Sequence, residues 1–171
     1  MIPFDEHTEQ FIPSRILLRW ITRTHRLMYF STAGRWGLSA DDMPTLMLAT
    51  TGRRTGRKRH VPLPYVRLEN HLMVAASNAA LRENPGWYYN ILDGPAVEVR
   101  IGRHRSPAHA REVSPEERIN LWAELVAAYP RYSIYQKIAD REIPLVLLRL
   151  ERDLPIRDAR LGVPMLSSPA P

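Results

Sequence analysis

The chain has 171 residues, 44% hydrophobic and 25% charged, enough for one globular domain with a sizeable core. It has no cysteine, which excludes disulfides, thiolate catalysis and Cys-based metal sites and fits a reducing cytoplasm. Its formal net charge of +6 points to an anionic partner: a phosphorylated cofactor, a nucleic acid or a membrane surface.

No apolar run approaches the roughly 20 residues that span a bilayer, and the acidic start, Met1 to His7, does not read as a signal peptide. Ser14 is a candidate N-cap for a helix to about Phe30. Ile16, Leu17, Trp20, Ile21, Leu27 and Met28 share one face, with Arg15, Arg19, Arg23 and Arg26 beside them. Either that face packs on the body, or the helix flanks a ligand cleft or lies peripherally on the anionic inner face of a membrane. Gly34 and Gly37 end it. Thr45–Thr51, bounded by Pro44 and Gly52, reads as a buried strand. Val61 to Leu68 alternates, and Pro62 and Pro64 place it at an edge or bulge. Glu69-Asn70 turns into a third strand, His71 to Ser77, so the first half is expected to form an antiparallel meander.

Asn84-Pro85 opens a short helix, Gly86 to Leu92, which Asp93-Gly94-Pro95 stops. Val97, Val99 and Ile101 alternate with polar residues as in a half-buried strand, followed by His104 to Val113. Ser114-Pro115-Glu116-Glu117 is a capping box with Pro at the first helical position, starting a helix to about Ala128. Pro130 breaks it before a second helix, Tyr132 to Asp140, and Ile143 to Leu150 is a last apolar strand. Gly162 to Pro171 reads as a loose tail. The class is mainly β with inserted helices, an α+β barrel or strongly curved antiparallel sheet. Strands and helices do not alternate as in a doubly wound fold.

The densest chemistry lies between the first two strands. Arg53, Arg54, Arg57, Lys58 and Arg59 are five cations in seven positions, interleaved with Gly52, Thr55 and Gly56. The spacing is neither a Walker A loop nor a dinucleotide fingerprint. Two readings stand: a solvated hairpin tip, or an anion cradle in which glycines bring backbone N–H groups close and arginines fork onto phosphate or carboxylate. Tyr129, Tyr132 and Tyr135 are three apart and can share one face. They are either core aromatics with polar tips or neutral donors to an oxygen on which charge develops. The six histidines show no ligand spacing, so no metal is expected. There is no Gly-x-Ser-x-Gly elbow. Chemistry, if present, comes from a cofactor. A recognised nucleic-acid motif is missing, so no nucleic acid is expected.

Four motifs now stand in order: Thr-Thr-Gly-Arg-Arg-Thr-Gly (50–56), Ala-Ala-Ser-Asn (75–78), Asn-Pro-Gly-Trp-Tyr-Tyr-Asn (84–90) and Tyr-Pro-Arg-Tyr-Ser-Ile-Tyr (129–135). Together they resemble the deazaflavin (F420)-dependent nitroreductase family, also described as F420H2-dependent quinone reductases, over about residues 45–150. The resemblance implies an antiparallel split β-barrel at 45–151, an N-terminal segment with the amphipathic helix at 1–44 and a C-terminal extension at 152–171. It implies coenzyme F420 as cofactor, with FMN less favoured, and hydride transfer to a quinone, nitroaromatic or similar small acceptor.

By position, Arg53, Arg54, Thr55, Gly56 and Arg59 would hold the cofactor's phosphate and oligoglutamate tail. Val61, Pro62 and Leu63 would line the deazaflavin, and Ala75, Ala76, Ser77 and Asn78 would close its other edge, with Trp87, Tyr88 and Asn90 nearby. Tyr129, Tyr132 and Tyr135 would wall the acceptor pocket, and Ser77 would donate to an acceptor or flavin oxygen. Pro64, Asn78 and the C-terminal extension depart from the family pattern, and the first two leave the acceptor open. A homodimer is an open expectation. The alternative on the same fold is a non-catalytic carrier of a lipid, flavin or tetrapyrrole.

Overall fold

The computed structural model describes residues 43–152 and Leu154. The helix expected over 14–30 and the C-terminal extension beyond Leu154 lie outside the described residues.

The strands are β1 (Thr45–Thr51), β2 (Lys58–Pro64), β3 (Val66–Arg67), β4 (Leu72–Ala75), β5 (Ala96–Ile101), β6 (His104–Glu112) and β7 (Leu145–Leu150). The helices are α1 (Gly86–Asp93), α2 (Pro115–Ala128) and α3 (Arg131–Ile138). The strands form one seven-stranded sheet in the order β2-β1-β5-β6-β7-β4-β3, antiparallel at every pairing. Leu46 and Leu48 of β1, Val74 of β4, Val99 of β5, Ala108 of β6 and Leu148 of β7 meet in one buried cluster. Side chains from strands that far apart can share a cluster only if the sheet curls around it. The result is a half-barrel, the mainly β architecture with inserted helices expected from the sequence. Trp87, Tyr88 and Ile91 of α1 pack into the same cluster.

The other face of β4 and β7 carries Met73, Leu145 and Leu147, covered by Leu125 of α2 and by Tyr132 and Ala139 at α3. Leu145 to Leu148 are therefore all buried, which is why β7 reads as an unbroken apolar run rather than an alternation. β6 has one solvated face, so Ser106, Ala108 and Ala110 are buried between exposed neighbours. The capping box of α2 forms in both directions: the Glu117 N–H donates to Ser114 Oγ at 3.3 Å and the Ser114 N–H donates to Glu117 Oε2 at 3.1 Å.

The expected first-half meander is divided in two. β2 pairs with β1 at one edge of the sheet, whereas β3 pairs with β4 at the other. The single run expected over 61–68 breaks at Tyr65, whose N–H donates to the Pro44 carbonyl at 3.1 Å. Pro62 and Pro64 have no N–H to offer a second neighbour, so β2 ends the sheet there. The chain then crosses the open side of the half-barrel. No helix among the described residues is long and apolar enough to cross a membrane.

Candidate active site

The hairpin between β1 and β2 is closed by its own backbone. Gly52 N–H donates to Arg57 O at 2.9 Å, while the N–H groups of Thr55 and Gly56 donate to Gly52 O at 3.0 and 2.8 Å. A Cβ at Gly52 would stand 3.1 Å from both Arg57 O and Thr55 Oγ1, and Gly56 has a φ of +64°. Both positions therefore favour glycine. Residues 53–59 are all exposed. Among the described residues no carboxylate pairs with Arg54, Arg57, Lys58 or Arg59. A turn closed by its own backbone thus presents cations that no described carboxylate neutralises.

Helix α1 anchors this turn. Asn90, 8% exposed, accepts from the Arg53 N–H at 3.2 Å and donates to Thr50 Oγ1 at 3.0 Å. The Arg53 guanidinium lies over the Tyr89 ring, 4.9 Å from its centroid. One of the predicted tail cations is thus oriented by an aromatic ring that sequence reasoning left without a role. Helical periodicity gave the signal, because Trp87, Tyr88 and Ile91 face the core and leave Tyr89 outward. Trp87 and Tyr88 are buried. The Tyr88 hydroxyl donates to Glu112 Oε1 at 2.7 Å, and burial, then this bond, push its pKa well above the ordinary phenol value. Their side chains tie α1 to the sheet.

A second group of predicted residues gathers at the end of β4. Ala75 and Ala76 are buried on opposite faces, and Ser77 and Asn78 are half-buried. The Ser77 hydroxyl lies near enough to the Tyr132 phenol to favour its ionised form slightly, an effect that burial outweighs. Tyr132 stacks edge-on against Tyr135, centroids 5.8 Å apart, and lies 6.3 Å from Tyr129. The three tyrosines therefore form the continuous group that their spacing suggested, but with different duties. Tyr129 donates to the Tyr65 carbonyl at 2.9 Å in a buried bond. Tyr132 is buried, and Tyr135 is half-exposed. On β2, Val61 packs beside Leu63 against the inner cluster, while Pro62 sits in register with Met47. Arg141 was also missed: it holds backbone carbonyls on both sides of Asn78–Ala80. An arginine before an apolar strand carries no sequence signal of such a contact.

The family profile described as F420H(2)-dependent quinone reductase matches residues 20–149. The chain belongs to the F420H(2)-dependent quinone reductase family. It is 33% identical over 132 residues to an F420H(2)-dependent quinone reductase of Mycobacterium tuberculosis, covering 75% of this chain and 89% of that protein. A solved F420-H2 dependent reductase (FDR-A) is 37% identical, with a TM-score of 0.57, covering 62% of this chain and 94% of its own. A further solved relative, described as a domain-swapped dimer, is 33% identical with a TM-score of 0.59, covering 77% of this chain and 98% of its own. As a member of this family the chain is a coenzyme F420-dependent oxidoreductase. The exposed cations of the turn suit the anionic groups of that cofactor, because guanidinium forks match phosphate and carboxylate oxygens.

Proposed function

We propose that this chain reduces a quinone, nitroaromatic or similar acceptor with F420H2. In this reading Arg54, Thr55, Gly56 and Arg59, with Arg53 set by Tyr89, grip the phosphate and glutamate tail. Val61, Pro62 and Leu63 lie along one side of the ring system, and Ala75 to Asn78 close the other. The observation that carries the reading is the backbone-locked turn at 52–59 with cations that no described carboxylate neutralises.

The reduced deazaflavin supplies a hydride, and a quinone acceptor leaves as the hydroquinone after also taking up a proton. The protein's part is positioning and electrostatic stabilisation. Ser77 and Tyr132 are both hydroxyl donors and neighbour each other, so together they can meet the oxygen on which negative charge grows. Burial keeps Tyr132 protonated, so it enters that role as a donor. Tyr135, half-exposed beside it, gives the acceptor an aromatic wall.

Fluorescence titration with F420 tests the tail site. The Arg54→Ala/Arg59→Ala pair is expected to weaken binding by about 10-fold or more, because each charge-assisted contact contributes roughly 1.5 kcal/mol or more. The wild-type affinity should fall with added salt and the double variant's should fall less. Affinity unchanged by the pair would remove the turn from the site.

Two further parts of the reading concern assembly. The sequence spacing of Arg15, Arg19, Arg23 and Arg26 among apolar residues supports peripheral contact with anionic lipid, tested by sedimentation with phosphatidylglycerol vesicles at physiological salt. The relative solved as a domain-swapped dimer supports a homodimer, tested by analytical ultracentrifugation.

A further inference from the structure

Arg141 belongs to neither the cationic turn nor the tyrosine wall, yet its guanidinium spans five backbone carbonyls. Nε donates to Leu81 O at 3.1 Å and Nη1 to Glu142 O at 3.2 Å. Nη2 donates to Ala76 O at 3.1 Å, to Ser77 O at 3.0 Å and, at the limit, to Glu83 O at 3.4 Å. Every one of these acceptors is a neutral carbonyl, and among the described residues no carboxylate pairs with Arg141. Four of the carbonyls flank Asn78–Ala80 on its two sides.

Those three residues are the one run of left-handed non-glycine backbone among the described residues, where Asp140 beside Arg141 is the single further case, at φ +51°. Asn78, Ala79 and Ala80 have φ values of +51°, +52° and +60°. A left-handed residue with a Cβ crowds its own carbonyl, and alanine has no side-chain hydrogen bond to compensate. Three in succession persist only where the surroundings over-determine them. The turn's own bonds are Ala80 N–H to Ser77 O at 3.0 Å and Leu81 N–H to Asn78 O at 3.2 Å, with Asn78 Nδ2 donating to Glu83 O at 2.8 Å.

Arg141 is itself held from the helices. Gln136 of α3 donates to Arg141 O at 2.7 Å and accepts from the Ile143 N–H at 3.0 Å. Arg118 of α2 donates to Ile143 O at 2.7 Å and to Gln136 Oε1 at 3.3 Å. A continuous polar chain therefore runs from α2 through α3 to Arg141 and on to the carbonyls around Ser77.

We propose that Arg141 is a positioning residue: its fork of hydrogen bonds holds the left-handed turn Asn78–Ala80 and thereby aims the Ser77 hydroxyl at the reacting end of the cleft, beside Tyr132. The clamp stands on its own geometry. The assignment of Ser77 to the reacting end rests on the reading under Proposed function.

The test uses the full chain in five forms: wild type, Arg141→Gln, Arg141→Lys, Ala79→Gly/Ala80→Gly, and the glycine pair combined with Arg141→Gln. Amide hydrogen exchange without cofactor reads the clamp. Arg141→Gln should speed exchange at the residue 80 and Leu81 amides by about 10-fold or more while leaving Val74 in β4 unchanged. Lysine should fall in between, because it keeps the charge without the planar fork. The glycine pair should return exchange in the Gln background to within about 3-fold of wild type, since glycine takes the left-handed region freely.

Kinetics with F420H2 and menadione read the consequence. Arg141→Gln should lower kcat by about 10-fold or more, the scale set by misplacing a reacting group. F420 affinity should fall by a smaller factor than kcat, because the cationic turn that grips the tail is untouched while only the ring's border at Ala76 to Asn78 is loosened. The glycine pair should restore kcat. Exchange that does not respond to Arg141→Gln, or that rises evenly through β4 and β7 without rescue by glycine, overturns the clamp. If exchange responds as expected but the wild type neither binds F420 nor reduces menadione, the clamp stands and the Ser77 assignment falls with the site reading. Should Arg141→Gln not fold, Arg141→Lys and the glycine pair in the wild-type background decide. The pair should raise the melting temperature by relieving the strain, and a lower melting temperature overturns it.

Discussion

Tyr132 is a phenol held where ionisation is unfavourable. Burial first, then the neighbouring phenols Tyr135 and Tyr129, push its pKa above the ordinary value of 10.0. For a group that is neutral when protonated, a raised pKa means the donor form persists through pH 10.0 and beyond. Tyr132 is therefore a donor across the whole working range, and a pH–rate profile should show no limb from this group below pH 10. Tyr132→Phe keeps the edge-on stack with Tyr135 but removes the donor. Loss of one preorganised donor to a developing oxyanion typically costs about 100-fold in kcat; with Ser77 beside it as a second donor, a fall of at least about 10-fold is expected. The acceptor's KM should move far less. A kcat within about 2-fold of wild type in steady-state assays from pH 6 to 9 would assign this phenol to packing alone. Sequence spacing marked Tyr129, Tyr132 and Tyr135 alike. Which hydroxyl bonds to backbone and which meets Ser77 depends on the sheet's curl, and no periodicity encodes it.

Between elements, α1 and α2 are fastened by different bonds. Asn90 joins the cationic turn to α1 with one accepted and one donated bond. Asn90→Leu keeps much of the volume and removes both, leaving the buried Thr50 hydroxyl without that donor. The expected result is a loss of about 1–3 kcal/mol in stability together with weaker F420 binding, read by urea denaturation and titration. If binding is unchanged while stability falls, the tie serves the fold and not the turn. On α2 the bidentate Arg111 contact first, then the Ser114 N–H, lower the Glu117 pKa from 4.5 to about 2. A depressed carboxylate adds stability that is present above pH 4.5 and is lost as pH falls towards 2. Glu117→Gln should flatten that part of the acid limb, and Ser114→Ala should cost about 1 kcal/mol at neutral pH. Melting curves from pH 2 to 7 check both. This capping box was legible because its signals are local: Ser, Pro and Glu at fixed offsets. Asn90 was singled out as a cofactor contact, and its long-range bonds to Thr50 and Arg53 could not be read from the chain.

At the scale of the molecule, alternation, prolines and the turn at 52–59 sufficed to foresee an antiparallel curved sheet with the cationic turn at one hairpin. They did not foresee that residues 61–68 would serve both edges of that sheet. Pro62 and Pro64 said only that β2 could not be internal. Where the chain goes after an edge is a tertiary decision, taken at Tyr65. There the Pro44 carbonyl receives the Tyr65 N–H, and Tyr129, after α2, donates to the Tyr65 carbonyl. One phenol at the head of the tyrosine wall thus pins the strand that links β2, beside the cationic turn, to β3 and β4, which lead to Ser77. Burial pushes the Tyr129 pKa up to about 12. The bond requires the protonated phenol, so its stabilising effect is complete below pH 10.0, the unfolded value, and is lost as pH rises through about 12. Tyr129→Phe should cost about 1–3 kcal/mol near pH 8 by removing a buried donor. The gap between wild type and variant should then narrow as pH approaches 12, because the wild type forfeits what the variant never had. Melting temperatures of the two proteins from pH 8 to 12 test this directly. Parallel curves would show that the bond does not govern closure across the open side of the half-barrel. Converging curves, with F420 affinity and kcat both reduced in the variant, would show that this one contact keeps the two edges of the sheet in register for catalysis.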